Sequence, residues 1–284
     1  MSDISPPVKP PTTLATGYGA HTMFVDGLVV MIAGAGPGLG ATLARRCAAD
    51  GADVVVAART PATLEQIAGD VRGHGRRALA IPTDVADREQ VRALAQRAHD
   101  EFGRIDVLVN AAFPPAPGGN VVDMDDDALD AWRRSVDAGG YGTLLTCRFV
   151  APFMVEAGRG SIVNVTSMSS RLAHGGRSDY AAGKAAMHRL GWALADELGP
   201  HGIRVNAVAP GAIWGEGVRR WIESSAAANS VSYEAQLAEH TAAMALRRIV
   251  TEDEVASAVL FLASELASGI TGATLDVNAG QLFQ

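Results

Sequence analysis

Seven short runs of Val, Ile, Leu and Ala recur along this chain, most of them separated by a stretch long enough for a helix, and this alternation limits the fold more than any other feature. The runs span residues 28–33, 53–58, 78–82, 105–110, 161–167, 203–209 and 274–277. Most are apolar at consecutive positions rather than alternate ones, as strands are when both faces are covered. Such strands joined by helices give a parallel sheet, because a parallel pair needs a long crossover. The chain therefore reads as α/β, a doubly wound parallel sheet of Rossmann type. Composition agrees. Apolar residues make up 48% and aromatics only 5%, so small side chains let helices lie close on the sheet.

Helix punctuation follows the same plan. Thr60-Pro61 places an N-cap residue before a proline suited to the first helical turn. Thr251-Glu252-Asp253-Glu254 has the form of a capping box opening the last long helix. No composition shift and no internal repeat divides residues 22–284, which read as one domain. Residues 211–250 stand apart: they lack a strand-like run, are polar and Ala-rich, and hold Trp214 and Trp221. That is the pattern of a helical lid inserted after a strand end. Residues 1–21, rich in Pro, Thr and Gly, read as an N-terminal arm without the basic and apolar regions of a signal peptide.

The formal net charge is −7 with no basic block, so neither nucleic acid nor an anionic membrane is the expected partner. No apolar run approaches the ~18 residues of a membrane helix. Cys47 and Cys147 are the only cysteines. They leave no disulfide framework and no sequence-evident metal site, and they fit a reducing cytoplasm. The expected partner is a small molecule.

The first strand runs into Gly34-Ala35-Gly36-Pro37-Gly38-Leu39-Gly40 and then a helix. Glycines there permit a tight turn and let the backbone approach a pyrophosphate, which the helix N-terminus then stabilises. The glycine spacing differs from G-x-G-x-x-G, but its place between first strand and helix points to a dinucleotide. At the end of the second strand, where an acid would bond the adenosine ribose, stand Ala58 and Arg59. An Arg in that place can pair with a 2′-phosphate, so NADP is the expected cofactor, with NAD also possible.

Tyr180 and Lys184 lie one helical turn apart, which sets a phenol and an ammonium on the same face. A nearby ammonium favours the phenolate and fits the pair for acid/base work. Ser167, thirteen residues before Tyr180, ends an apolar strand at the edge where open α/β sheets bind ligands.

With these residues in view, the chain resembles the short-chain dehydrogenase/reductase family in its ordinary non-extended branch, over about residues 24–280. The resemblance rests on the glycine turn, Asp84-Val85, Val109-Asn110-Ala111-Ala112, the Ser167/Tyr180/Lys184 spacing, the run Arg204 to Gly211, and Ile270-Thr271-Gly272. It implies that Gly34, Gly38, Leu39 and Gly40 cradle the cofactor phosphates and that Asp84 and Val85 flank the adenine. Asn110 and Ala111 would line the adenosine side, and Pro210 and Ile213 would touch the nicotinamide end. Ser167 would hold the substrate oxygen and Tyr180 exchange the proton. Lys184 would bind the nicotinamide ribose and depress the Tyr180 pKa. No metal is implied, and a homo-oligomer, tetramer or dimer, is.

The departures matter too. Ala33 replaces a usual Thr, Ala111 and Phe113 replace Asn and Gly, and Gly215 stands where a Thr often sits. Gly139 occupies the place of the family's catalytic Asn. Glycine there is expected to leave space for a backbone-held water beside Lys184, or for Ser135 or Tyr141 to swing in, and Gly139-Gly140 is expected to weaken the helix. The expected activity is hydride transfer between NADP(H) or NAD(H) and a ketone or secondary alcohol. Phe113, Met168, His174, Trp214 and Trp221 would line a cleft for an apolar or cyclic substrate. A catalytically weak nucleotide-binding or scaffold protein stays open as the second reading, because of Gly139 and the altered loop.

Overall fold

The computed structural model of the chain describes residues 24–173 and 175–283; the expected arm at 1–21, and His174, lie outside the described residues. Seven parallel strands form one sheet in the order β3-β2-β1-β4-β5-β6-β7. They are β1 (Val29–Ala33), β2 (Asp53–Ala58), β3 (Ala78–Pro82), β4 (Val107–Asn110), β5 (Gly160–Val165), β6 (Ile203–Pro210) and β7 (Thr274–Val277). This is the expected doubly wound α/β architecture.

Alternate side chains of each strand feed opposite layers. Val30 and Ile32 of β1 join one core cluster with α1 (Leu39–Ala49), α2 (Pro61–Gly73) and α9 (Glu252–Ala263). Val29, Met31 and Ala33 join another with α3 (Arg88–Phe102), α5 (Thr143–Ala157) and α6 (Ser178–Leu198). Every residue of β1 is buried, which is why that run carries no polar alternation. The two cysteines sit one in each cluster, and burial pushes both thiols up to about 12. They are small core residues, not nucleophiles.

The expected run at 161–167 pairs only as far as Val165; Ser167 leaves the ladder and its hydroxyl accepts from the amide of Ser169, capping a 3-10 turn at Met168–Ser170. The expected capping box of α9 forms on both sides. Thr60 does occupy the N-cap of α2, but its hydroxyl makes no cap bond. Between β6 and α9 lie α7 (Glu216–Asn229) and α8 (Tyr233–Ala242), two helices and no strand. A single bridge between Ile213 and Val250 and a bond from the Trp214 amide to the Val250 carbonyl close their base.

α4 (Asp126–Val136) continues through a π-helical turn at Asp137–Gly142 into α5, so the glycine pair does perturb the helix. The space expected at Gly139 does not exist. A Cβ there would drive into the backbone carbonyl of Gly183 on α6, and one on Gly183 would lie 2.5 Å from the Ser135 carbonyl. The two helices cross backbone on backbone through this pair of glycines. Tyr141 does not swing in either: it is 39% exposed and its hydroxyl accepts from Arg88 at 3.2 Å. Ser135 is fully buried, and its hydroxyl has no partner among the described residues.

Restoring a side chain at 139 is therefore expected to harm the fold. Overpacking of this kind costs roughly 1–3 kcal/mol, and a domain of this size loses about 2–4 °C per kcal/mol. Gly139→Asn should melt well below wild type by circular dichroism. An unchanged melting temperature would show that α6 can yield.

Candidate active site

The order of strands reverses between β1 and β4, which opens a crevice at their carboxyl ends. Gly34 begins the turn out of β1 with φ at +110°, and a Cβ on it would strike the amide of Ala112 beyond β4. Gly38 caps α1 with φ at +90°, supplies no side-chain bond, and is followed by no acidic residue in the first turn. By contrast, α3, α4, α8 and α9 each start on a bonded side-chain cap. An uncapped helix start with glycine backbone around it fits the phosphates of a dinucleotide. Glu252, which sequence reading did not single out, comes over this turn from α9. Its Oε1 lies 3.1 Å from where a Cβ of Gly38 would be, and its Oε2 accepts from Thr42 Oγ1 at 2.6 Å.

The other expected cofactor contacts gather at the same edge with unequal freedom. Arg59 follows β2 directly and is exposed. Asp84 accepts from the amide of Ala86 at 3.0 Å, and Val85 is buried against Gly142. Ala111 donates its amide to Ala33. Pro210 is the last residue of β6, and Ile213 forms the bridge at the base of α7 and α8. Asn110 corrects its expected role. Its side chain turns inward, donating to Asn164 Oδ1 at 2.9 Å and accepting from Thr146 Oγ1 at 2.7 Å, so it ties β4 to β5 and α5 and leaves only backbone toward the crevice.

Tyr180 lies in the first turn of α6, and Lys184 follows one turn later. Ser167, which is 5% exposed, neighbours the phenol. Burial pushes the phenol above its ordinary pKa, while the Ser167 hydroxyl and the Arg177 guanidinium, 5.2 Å from the ring centroid, pull it down. Lys184 was expected to supply that pull. It is 3% exposed, its Nζ donates to the Val165 carbonyl at 2.7 Å, and it stands 5.9 Å from the Tyr180 ring centroid. Burial pushes its own pKa down to about 7. Arg177, a residue the sequence reading passed over, is a positive group that acts on the phenol.

Phe113 meets the expectation of a place beside the reacting groups. Its ring stands edge-on to Tyr180, centroids 4.9 Å apart, and the Lys184 ammonium lies 4.7 Å from its centroid. Met168 sits in the turn after Ser167. Trp214 is partly buried against the core, whereas Trp221 is half exposed and packs edge-on to His240 at 4.8 Å. Among the described residues no group of three or more His, Cys, Asp or Glu could hold a metal, and no helix is long and apolar enough to cross a membrane.

A hydroxyl, a phenol and an amine grouped at the same sheet edge as an uncapped, glycine-lined helix start suit proton and hydride exchange next to a dinucleotide. Known proteins agree. A family model described as enoyl-(acyl carrier protein) reductase matches residues 34–281. A cis-4-hydroxycyclohexanecarboxylate dehydrogenase of Sinomonas cyclohexanicum is 36% identical over 256 residues, 89% of this chain and 95% of that one. The crystal structure of a short-chain type dehydrogenase/reductase from Mycobacterium marinum is 32% identical, with a TM-score of 0.81 over 92% of this chain and 98% of that one. A carveol dehydrogenase from Mycobacterium avium, in complex with NAD, is 29% identical with a TM-score of 0.83 over 93% and 100%. This chain thus belongs to the short-chain dehydrogenase/reductase family and is a nicotinamide-dependent oxidoreductase acting on CH–OH groups.

Proposed function

We propose that the chain interconverts an apolar or cyclic secondary alcohol and its ketone, with Tyr180 as proton carrier and NADP(H) as the preferred cofactor. The observation that carries this reading is Ser167 and Tyr180 brought together with buried Lys184 at the sheet edge where β1 runs into the uncapped start of α1. When bound, the nicotinamide supplies or takes up the hydride. In reduction, Tyr180 gives its proton to the carbonyl oxygen as that oxygen gains electrons, and the Ser167 hydroxyl donates a bond to the same oxygen. In oxidation, the phenolate takes the alcohol proton back. Lys184 keeps donors beyond the one given to Val165, and these suit ribose hydroxyls. The backbone of Gly34, Gly38, Leu39 and Gly40 would hold the phosphates, with Ala111, Pro210 and Ile213 along the nucleotide.

Phe113, the partly buried Trp214 and Met168 support an apolar substrate. The name of the Sinomonas relative, which joins a hydroxyl to a cyclohexane ring, supports a cyclic one. Ala58 and exposed Arg59 at the end of β2 support NADP, since a carboxylate that would repel the 2′-phosphate is missing and a guanidinium stands in its place.

Three outcomes test the reading. Tyr180→Phe keeps the ring against Phe113 but removes the transferable proton, so turnover of a good cyclic alcohol should fall about a thousandfold or more, with cofactor affinity, read by fluorescence titration, near wild type. Turnover within a few-fold of wild type would dismiss Tyr180 as the carrier.

Initial rates with each cofactor should show a preference for NADP(H) of roughly tenfold to a hundredfold, the worth of one charge-assisted bond, and Arg59→Ala should erase it. A preference for NAD(H) untouched by that substitution would overturn the assignment.

The third concerns the cost of burying Lys184. Its amine titrates near 7 when folded and near 10.4 when unfolded, so between those values the unfolded chain binds more protons. Stability contributed by this group is therefore fully present above about pH 10.4 and is lost as pH falls toward 7. Lys184→Met should be more stable than wild type at pH 6–7, by an amount on the order of a few kcal/mol, and urea titrations should show the advantage shrinking toward pH 10. A constant difference across that range would mean the amine is not strained by burial.

A further inference from the structure

The loop 113–119, Phe113-Pro114-Pro115-Ala116-Pro117-Gly118-Gly119, leads away from the end of β4. Its prolines remove amide donors and stiffen it, and the amides that remain must find partners off the sheet. The two glycine amides find them at the start of α6. The Gly118 amide donates to Asp179 Oδ2 at 3.0 Å, and the Gly119 amide donates to the Gly176 carbonyl at 2.8 Å. Arg177 Nη1 donates to the Ala116 carbonyl at 3.2 Å. Asp179 is 3% exposed, and its other oxygen accepts from the amide of Tyr180 at 2.7 Å. One buried carboxylate therefore joins the loop to the very residue that bears the phenol. Two amide bonds and the positive end of α6 make that burial tolerable. At the near end of the loop, Phe113 is packed so closely on α6 that a Cβ on Gly183 would come within 2.9 Å of its ring.

We propose that Asp179 and Arg177 are positioning residues that fasten this loop to α6, so that Phe113 stands as a fixed apolar wall beside Tyr180 and limits the size of the ring system that can bring its carbinol carbon to the phenol. The inference rests on the reading of Tyr180 as proton carrier. A proline-rich loop tied at three points cannot give way to a bulky substrate without breaking bonds, whereas a loop tied only at its ends can. Arg177 serves twice. The guanidinium that grips Ala116 also lies over the Tyr180 ring and favours the phenolate, so the position of the wall and the acidity of the phenol are set by one side chain.

Amide exchange and substrate selectivity together test this in the full chain. The Gly118 and Gly119 amides should exchange slowly in wild type. Asp179→Ala should speed both by about tenfold, the worth of one net hydrogen bond, in a protein whose melting curve shows it still folded. Asp179→Asn keeps an acceptor oxygen and should restore part of the protection. For catalysis, cyclohexanol is compared with the bulkier bicyclic decahydro-2-naphthol. Phe113→Ala should raise kcat/KM on the bicyclic alcohol relative to cyclohexanol by about tenfold, mostly through KM. Asp179→Ala should shift the ratio the same way, and the double variant should add little to Phe113→Ala alone. Arg177→Met should also move the acid limb of the pH profile for oxidation to higher pH, and Arg177→Lys should bring it back. Unchanged exchange in Asp179→Ala overturns the clamp, and an equal loss on both alcohols, or additive effects in the double variant, overturns the wall. The underlying reading fails on a different result, retained turnover in Tyr180→Phe.

Discussion

A parallel sheet buried on both faces leaves chemistry one place to go. Every residue of β1 and β4 is buried, so these central strands present no polar side chain to water along their length. Only where the strands stop, at their carboxyl ends, does backbone turn outward. The glycine turn after β1, Ser167 after β5 and Pro210 at the end of β6 all lie at that edge. Tyr180 and Lys184 reach it from α6, whose approach is fixed by the backbone contact of Gly183 with the chain at Gly139. The site thus depends on the covered sheet and on a helix crossing that no side chain may enter.

Building the site there has an energetic cost that the rest of the domain offsets. Lys184 is an amine held in apolar surroundings with one hydrogen bond to the carbonyl of Val165. The start of α1 forgoes the side-chain cap that four other helices possess. Gly34 and Gly38 hold backbone conformations that other residues would strain. Local rules broken together in one region mark where function rather than stability selected the residues.

Much of this was legible in the sequence. Three of the seven strands begin and end where their apolar runs do, the capping box of α9 forms, and Ser167, Tyr180 and Lys184 come together at the expected edge. What failed to show shares one cause: it depends on partners far away along the chain. A glycine reads as empty space or as close contact according to what faces it, and Gly139 faces a glycine on another helix. Asn110 was expected along the adenosine on the strength of the family resemblance, and Asn164 and Thr146 claim its side chain. Arg177 and Asp179 carry no motif of their own. Their meaning lies in a loop sixty-one residues upstream. The pull of Lys184 on the phenol was expected from spacing and from the family resemblance, and neither tells how deeply the amine is buried.

The helices α7 and α8 are attached differently from everything around them. Ile222 and Ala226 are the buried residues of α7, and Gln236 and Thr241 those of α8, while one bridge at Ile213 and Val250 closes the base. α9, by comparison, buries seven of its residues. Elements held by few buried residues open at a lower free energy than buried strands do, so the chain is graded from a stiff central frame to a more easily lifted edge.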